Sequence, residues 1–270
     1  MSIPSNAIPT WDTKDAEKRY TKLKENADRF RVVIIGGANA GKTTILKKIC
    51  DTIDDPEIYN SYGRKIDSSN IEPTALRGEH DIGNEMVFRS NPTYIFHDSR
   101  GFEAGGVDEF RKVKAFVADS AKQLLLKHQV HAIWYCIAMD DDRPITYAEK
   151  QFFSESGTGR VPVIAVFTKC EALEVKAIIA LQDEGYDFDE AIERAPKYVE
   201  EKLKNVHKIL EAMQYPPRGH VYLQELEKPE GDCRNLVKCT AEVLDSKVLQ
   251  GLLISAQQNS METSMEFSLK

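Results

Sequence analysis

The stretch Phe30-Arg31-Val32-Val33-Ile34-Ile35-Gly36-Gly37-Ala38-Asn39-Ala40-Gly41-Lys42-Thr43 decides the fold. Its first part is a compact β-branched run ended by glycine, which reads as a strand buried on both faces in a parallel sheet. Its second part fits G-x-x-x-x-G-K-[ST] in full. Glycines let a backbone wrap closely around an anion with successive N–H groups pointing inward. A helix starting near Lys42 aims its positive end at the same place. Lys42 adds a full charge for β and γ phosphates, and Thr43 offers a hydroxyl to Mg²⁺. The run Gly37, Ala38, Asn39, Ala40, Gly41, Lys42, Thr43 and Thr44 is therefore expected to bind a nucleotide.

Outward from this run, strand-like and helix-like segments alternate. Helical spacing covers 44–53. Strands are expected at 85–88 and 93–97, joined through Ser90-Asn91-Pro92, a turn signal. Further helices are expected at 108–128, 146–154, 187–213 and 241–257, with Pro196 as a break in the third. Further strands are expected at 130–138, 161–167 and 220–223. Such alternation predicts an α/β fold with a mainly parallel sheet flanked by helices. The first 29 residues read as a loose tail with a short charged helix, residues 30–257 as one domain, and 258–270 as a C-terminal tail.

Composition narrows the class. The chain has 270 residues, 41% hydrophobic and 29% charged, the balance of a globular protein with a core of its own. A net charge of -7 argues against a nucleic-acid surface, which needs a basic field. The five cysteines form no C-x-x-C pair, and most lie in or beside apolar runs, which fits a reduced, cytoplasmic protein. The longest apolar run, 132–139, is too short for a transmembrane segment.

Three further motifs follow the first in order. Asp98-Ser99-Arg100-Gly101 closes the strand at 93–97. An acidic residue at a strand's carboxyl end can hold Mg²⁺, and the Gly101 N–H can meet a γ phosphate. Thr168-Lys169-Cys170-Glu171 closes the strand at 161–167. A carboxylate at Glu171 accepts both N1–H and N2–H of guanine, a pattern adenine lacks, while Lys169 lies along the base. Asp is the usual residue at that place, and the longer glutamate keeps the chemistry with a looser fit. Cys239-Thr240-Ala241 is read as a turn before the last helix, where Thr240 and Ala241 meet the guanine O6; a plain helix cap at Thr240 explains the same residues equally well. Between the first two motifs, Thr74 follows Pro73 in a loop and is the candidate to complete Mg²⁺ coordination when a γ phosphate is present. Lys42 and Thr74 are the candidate catalytic residues, and Thr43, Thr74 and Asp98 the candidate metal ligands.

With these motifs in this order, the chain resembles the translation-factor-related GTPases. It looks closest to the Era, septin and GIMAP-like branches and to small fungal G-domain-containing proteins; residues 96–103 and 166–169 carry that last resemblance, which covers about residues 30–256. The resemblance implies a Ras-like P-loop fold, binding of Mg²⁺ with GTP or GDP, and switch loops near Thr74 and Asp98. Asn39 stands in an N-A-G-K-T context similar to Era-like GTPases, for which it implies a K⁺ ion; a role in loop geometry explains the same asparagine. The residue after Gly101 is Phe102, where Ras-type GTPases carry a glutamine that orients the attacking water. Slow hydrolysis is therefore expected, completed by a homodimer through the nucleotide face. The alternative is a GTP-dependent binding or assembly module with little hydrolysis.

His128 and His131 are read as surface or core histidines, Trp134-Tyr135 as core, Asp140-Asp141-Asp142 as a solvated loop, and Arg143 and Glu149 as candidates for a partner surface.

Overall fold

The β-branched run at the start of the deciding stretch forms β1, Phe30–Gly36, whose every residue is buried. The computed structural model describes residues 28–66, 81–99, 107–155 and 158–268. Within them the chain continues as α1 (Lys42–Ile49), β2 (Glu57–Tyr59), β3 (Lys65–Ile66), β4 (Glu85–Phe88), β5 (Asn91–Asp98), α2 (Val107–Ala121), a 3-10 turn (Leu126–His128) and β6 (Ala132–Ala138). It proceeds as α3 (Tyr147–Glu155), β7 (Val163–Thr168), α4 (Ala172–Asp183), α5 (Phe188–Glu211), β8 (Gly219–Tyr222), α6 (Arg234–Val243) and α7 (Lys247–Ser268).

One sheet of eight strands has the order β3-β2-β4-β5-β1-β6-β7-β8. β1 lies between β5 and β6, parallel to both, and β7 and β8 continue the parallel set. β4 and β5 are antiparallel, joined across Arg89-Ser90, and β2 and β3 extend that edge. This is the expected α/β architecture, a mainly parallel sheet with helices on both faces.

Strand alternation sorts the core into two layers. Val32, Ile34, Phe96, Trp134 and Val166 point to one face, under α1, α6 and α7. Val33, Ile35, Tyr135, Ala165 and Phe167 point to the other, under α2, α3 and α5. Trp134 and Tyr135 are fully buried, as their sequence setting indicated.

Several expectations are corrected. The helix expected over 108–128 stops at Ala121, and His128 sits in a separate 3-10 turn. Pro196 does not break α5, which runs unbroken through it from an Asp187 cap that accepts the Glu190 N–H at 2.8 Å. A proline deprives the carbonyl four residues back of its donor. That residue is Ile192, which is exposed, so water can serve it. The last helical region is two helices, and α7 continues past 257 to Ser268. α4 and the β2–β3 hairpin lie outside the expected elements. No helix among the described residues is long and apolar enough to cross a membrane.

Candidate functional site

The carboxyl ends of β1, β5, β6 and β7 meet at one edge of the sheet. Register places Ile34 beside Asp98, Gly36 beside Cys136, and Ala138 beside Thr168. Loops leaving these strands are therefore neighbours, which is where open α/β sheets build ligand sites.

The loop between β1 and α1 is held in an unusual backbone shape. Gly36 has φ 151°, and a Cβ there would lie 2.5 Å from the Cys136 carbonyl oxygen, so only glycine fits. Asn39 and Gly41 adopt left-handed conformations, φ 60° and 77°. Gly41 occupies the N-cap of α1, where no side chain caps the helix and no acidic residue occupies the first turn. The first N–H groups of α1 are thus free of a side-chain acceptor, as anion binding requires. Lys42 folds back over the loop, and its Nζ donates to the carbonyls of Gly36 at 3.1 Å and Gly37 at 3.0 Å. Thr43 is exposed, Thr44 half-buried, and Ala38 and Asn39 are exposed.

Asp98 ends β5 beside β1. Its Oδ1 is buried and has no hydrogen-bond partner among the described residues. Burial pushes its carboxyl up to about 6, while Lys42 pulls the other way. A carboxylate oxygen kept dry and unpartnered beside a phosphate-type loop is the kind of donor a hard cation takes. Ser99 Oγ is also buried with no partner among the described residues, and the Ser99 N–H donates to Ile34 O at 3.0 Å. Thr74, Gly101 and Phe102 lie outside the described residues.

The third motif joins the first directly. Thr168 Oγ1 donates to the Ala40 carbonyl at 3.1 Å, so its hydroxyl braces the loop. Lys169 takes a left-handed φ of 55° and its Nζ pairs with Asp140 Oδ2 at 2.6 Å. Glu171 starts α4, and its Oε2 accepts the Glu225 N–H at 2.9 Å from the loop after β8. An open cleft of about 390 Å³ is lined by Ala38, Asn39, Ala138, Asp140, Asp141, Asp142 and Lys169.

The fourth motif is elsewhere. Thr240 and Ala241 lie inside α6 rather than in a turn before the last helix. Thr240 is fully buried; its hydroxyl accepts from Trp134 Nε1 at 3.1 Å and donates to Leu236 O at 2.7 Å. Both hydroxyl functions serve the core. The loop that reaches Glu171 is the one after β8, which has no motif in the sequence to announce it. Nor is Glu149 a surface group. It is buried, accepts from Thr146 N and Tyr135 Oη, and closes the first turn of α3. Asp140, read as part of a solvated loop, is the partner of Lys169. The signal that could have found it is positional, since the acidic run and Thr168-Lys169 follow adjacent parallel strands.

No protein-family model matches the chain, and no curated protein matches it. Among solved structures, a crystal structure of a mutation variant of SsGBP is similar at a TM-score of 0.34 and 15% identity, with 92% of this chain and 63% of that chain covered. The present chain thus spans 63% of the length of that neighbour.

Proposed function

We propose that the chain binds a guanine nucleoside triphosphate with Mg²⁺ and hydrolyses it slowly, as a switch. One observation carries the reading: a glycine loop with an uncapped helix start, Lys42 folded over it, and the unpartnered Asp98 oxygen at the next strand end all converge. Lys42 exchanges its two carbonyl partners for phosphate oxygens, a charge-assisted contact stronger than the neutral ones it replaces. Thr43 and Asp98 would hold Mg²⁺, and Thr74 would join them when the γ phosphate is present. When bound, Mg²⁺ would supply positive charge that neutralises the phosphate oxygens. In hydrolysis a water oxygen bonds to the γ phosphorus, the bond to the β,γ-bridging oxygen breaks, and the water's proton leaves with the products, GDP and phosphate. Lys42 and the loop N–H groups stabilise the charge that moves onto the leaving diphosphate.

At the base, Glu171 accepts from guanine N1–H and N2–H, with Glu225 N–H steadying the carboxylate through Oε2. Adenine offers no matching pair of donors. The test is the nucleotide content of the purified protein, then phosphate release with Mg²⁺ over a range of protein concentrations. Guanine nucleotide, with low turnover that rises per molecule with concentration, is the expected result, the rise reporting a homodimer across the nucleotide face. Equal affinity for ATP and GTP overturns the reading. Bound guanine nucleotide without phosphate release assigns the chain to binding or assembly instead.

A further inference from the structure

We infer that Asp140 is a positioning residue for base recognition, acting through Lys169; the inference rests on the guanine-nucleotide reading above. Ala138 and Thr168 are register partners at the ends of β6 and β7, so the chain leaves both strands at one edge. Met139 N–H donates to Thr168 O at 2.9 Å and continues that pairing by one step. Asp140 and Lys169 then meet, Nζ to Oδ2, at 2.6 Å. The left-handed backbone at Lys169, φ 55°, sets the direction in which its side chain leaves the chain. Both residues line the cleft beside Asn39 of the glycine loop.

The loop does not need this pair in order to hold its shape. Lys176 of α4 donates to Asp140 O at 2.7 Å and to Asp142 Oδ1 at 3.0 Å, and Met139 N–H supplies a further tie. The Asp140 carboxylate is thus redundant as a fastening of the loop, and its consequence falls on Lys169. A free lysine samples many rotamers, and ordering it on binding costs side-chain entropy. With its ammonium already held, the stem of Lys169 is ordered before a base arrives, and that cost is not charged to binding. The pair is part-exposed, 33% and 41%, so its effect on fold stability is small and its removal leaves the protein folded.

The experiment measures the dissociation constant of a fluorescent GDP analogue for the full chain and for Asp140→Asn, Asp140→Glu, Lys169→Met and Asp140→Asn with Lys169→Met. Asp140→Asn is expected to weaken binding about threefold, the scale of an exposed ion pair. Asp140→Glu keeps the charge and recovers most of the affinity. In the Lys169→Met background, Asp140→Asn costs nothing further, which a purely structural role would not produce. The difference between the full chain and Asp140→Asn also narrows in high salt. Asp140→Asn binding like the unaltered chain, or costing the same with Lys169 replaced, overturns the inference while leaving the guanine reading intact. Failure of the unaltered chain to bind guanine nucleotide overturns that reading itself, and the inference with it.

Discussion

Thr168 Oγ1 donates to the Ala40 carbonyl oxygen at 3.1 Å, and a Cβ built on Gly41 would lie 3.7 Å from the Thr168 Cβ. The end of β7 is therefore in contact with the glycine loop after β1, although β6 separates the two strands in the sheet. The segment after β7 and the glycine loop after β1 are thus joined at one edge of the sheet.

On the proposed reading Lys42 carries the phosphate contact, so Lys42→Ala is expected to remove tight nucleotide binding. Truncating one side of a hydrogen-bonded charge pair costs about 2–5 kcal/mol, or roughly thirtyfold or more in affinity. Thr43→Ala acts differently: nucleotide still binds, but the dependence on Mg²⁺ weakens. Calorimetric titration of GTP with and without Mg²⁺ separates the two, and normal binding by Lys42→Ala is the adverse result.

Base selection tests Glu171. A site built to satisfy a hydrogen-bonding pattern can reject an analogue lacking it by roughly 10⁴–10⁵. A smaller preference is expected here, because glutamate is longer than aspartate and Oε2 is already shared with Glu225 N–H. Glu171→Ala lowers affinity for GTP and leaves weak triphosphate contacts in place. Competition between GTP and ATP for the unaltered and altered chains measures this directly.

Asn39 is exposed in a left-handed conformation on the glycine loop. If its amide oxygen helps hold K⁺ near the phosphates, replacing KCl by NaCl slows hydrolysis, since the ion supplies charge where an arginine would otherwise act. Asn39→Gly keeps the loop geometry and removes that response. Identical rates in both salts restrict Asn39 to a role in loop shape.

A buried network predicts the response of stability to acid. Arg31 Nη1 lies 2.8 Å from His97 Nε2 and donates to it, and His97 Nδ1 then donates to Ile82 O at 2.9 Å. His131 Nδ1 accepts the Arg31 N–H at 3.0 Å, and Nε2 donates to Leu126 O at 2.9 Å. Burial lowers both rings to about 4, with Arg31 adding to the effect. In the unfolded chain they take up protons near the ordinary histidine value of 6.5. Stability from neutral, buried rings is therefore full above that value and lost as the pH falls toward 4. Each ring contributes about 2–3 kcal/mol of loss by pH 4.5. Asp98, raised to about 6, works in the opposite sense and offsets about 2 kcal/mol. Urea unfolding is expected to show a net loss of about 3 kcal/mol between pH 7 and 4.5. A midpoint that rises instead would mean that the rings take up protons in the fold as readily as in the unfolded chain.

The corrected place of Thr240 has its own test. Thr240→Val keeps the volume and strands the Trp134 N–H in the core, at a cost of about 1–3 kcal/mol. Thermal unfolding should show the loss, while affinity for GTP stays unchanged. A drop in affinity without a drop in stability would return the residue to the nucleotide site.

Local chemistry was legible in the linear sequence. The β-branched run of β1 and the glycines that follow it declare a strand, a tight glycine turn and a helix without reference to anything distant, because each depends on neighbours in the chain. Asp98 and Thr168-Lys169 were legible for the same reason, as they directly follow strands of recognisable pattern. Residues whose meaning depends on a partner far along the chain were not. Thr240 was read from the three residues around it, yet it is defined by Trp134, 106 positions away. Asp140 looked like a solvated charge until parallel pairing of β6 with β7 brought it to Lys169. The loop after β8 has no composition of its own to mark it, and only the sheet order carries the Glu225 N–H to Glu171. Periodicity and turn chemistry act over a few residues, so sequence alone determines elements and the motifs at their ends. Register and strand order act between segments, so they alone decide which motif ends share a site.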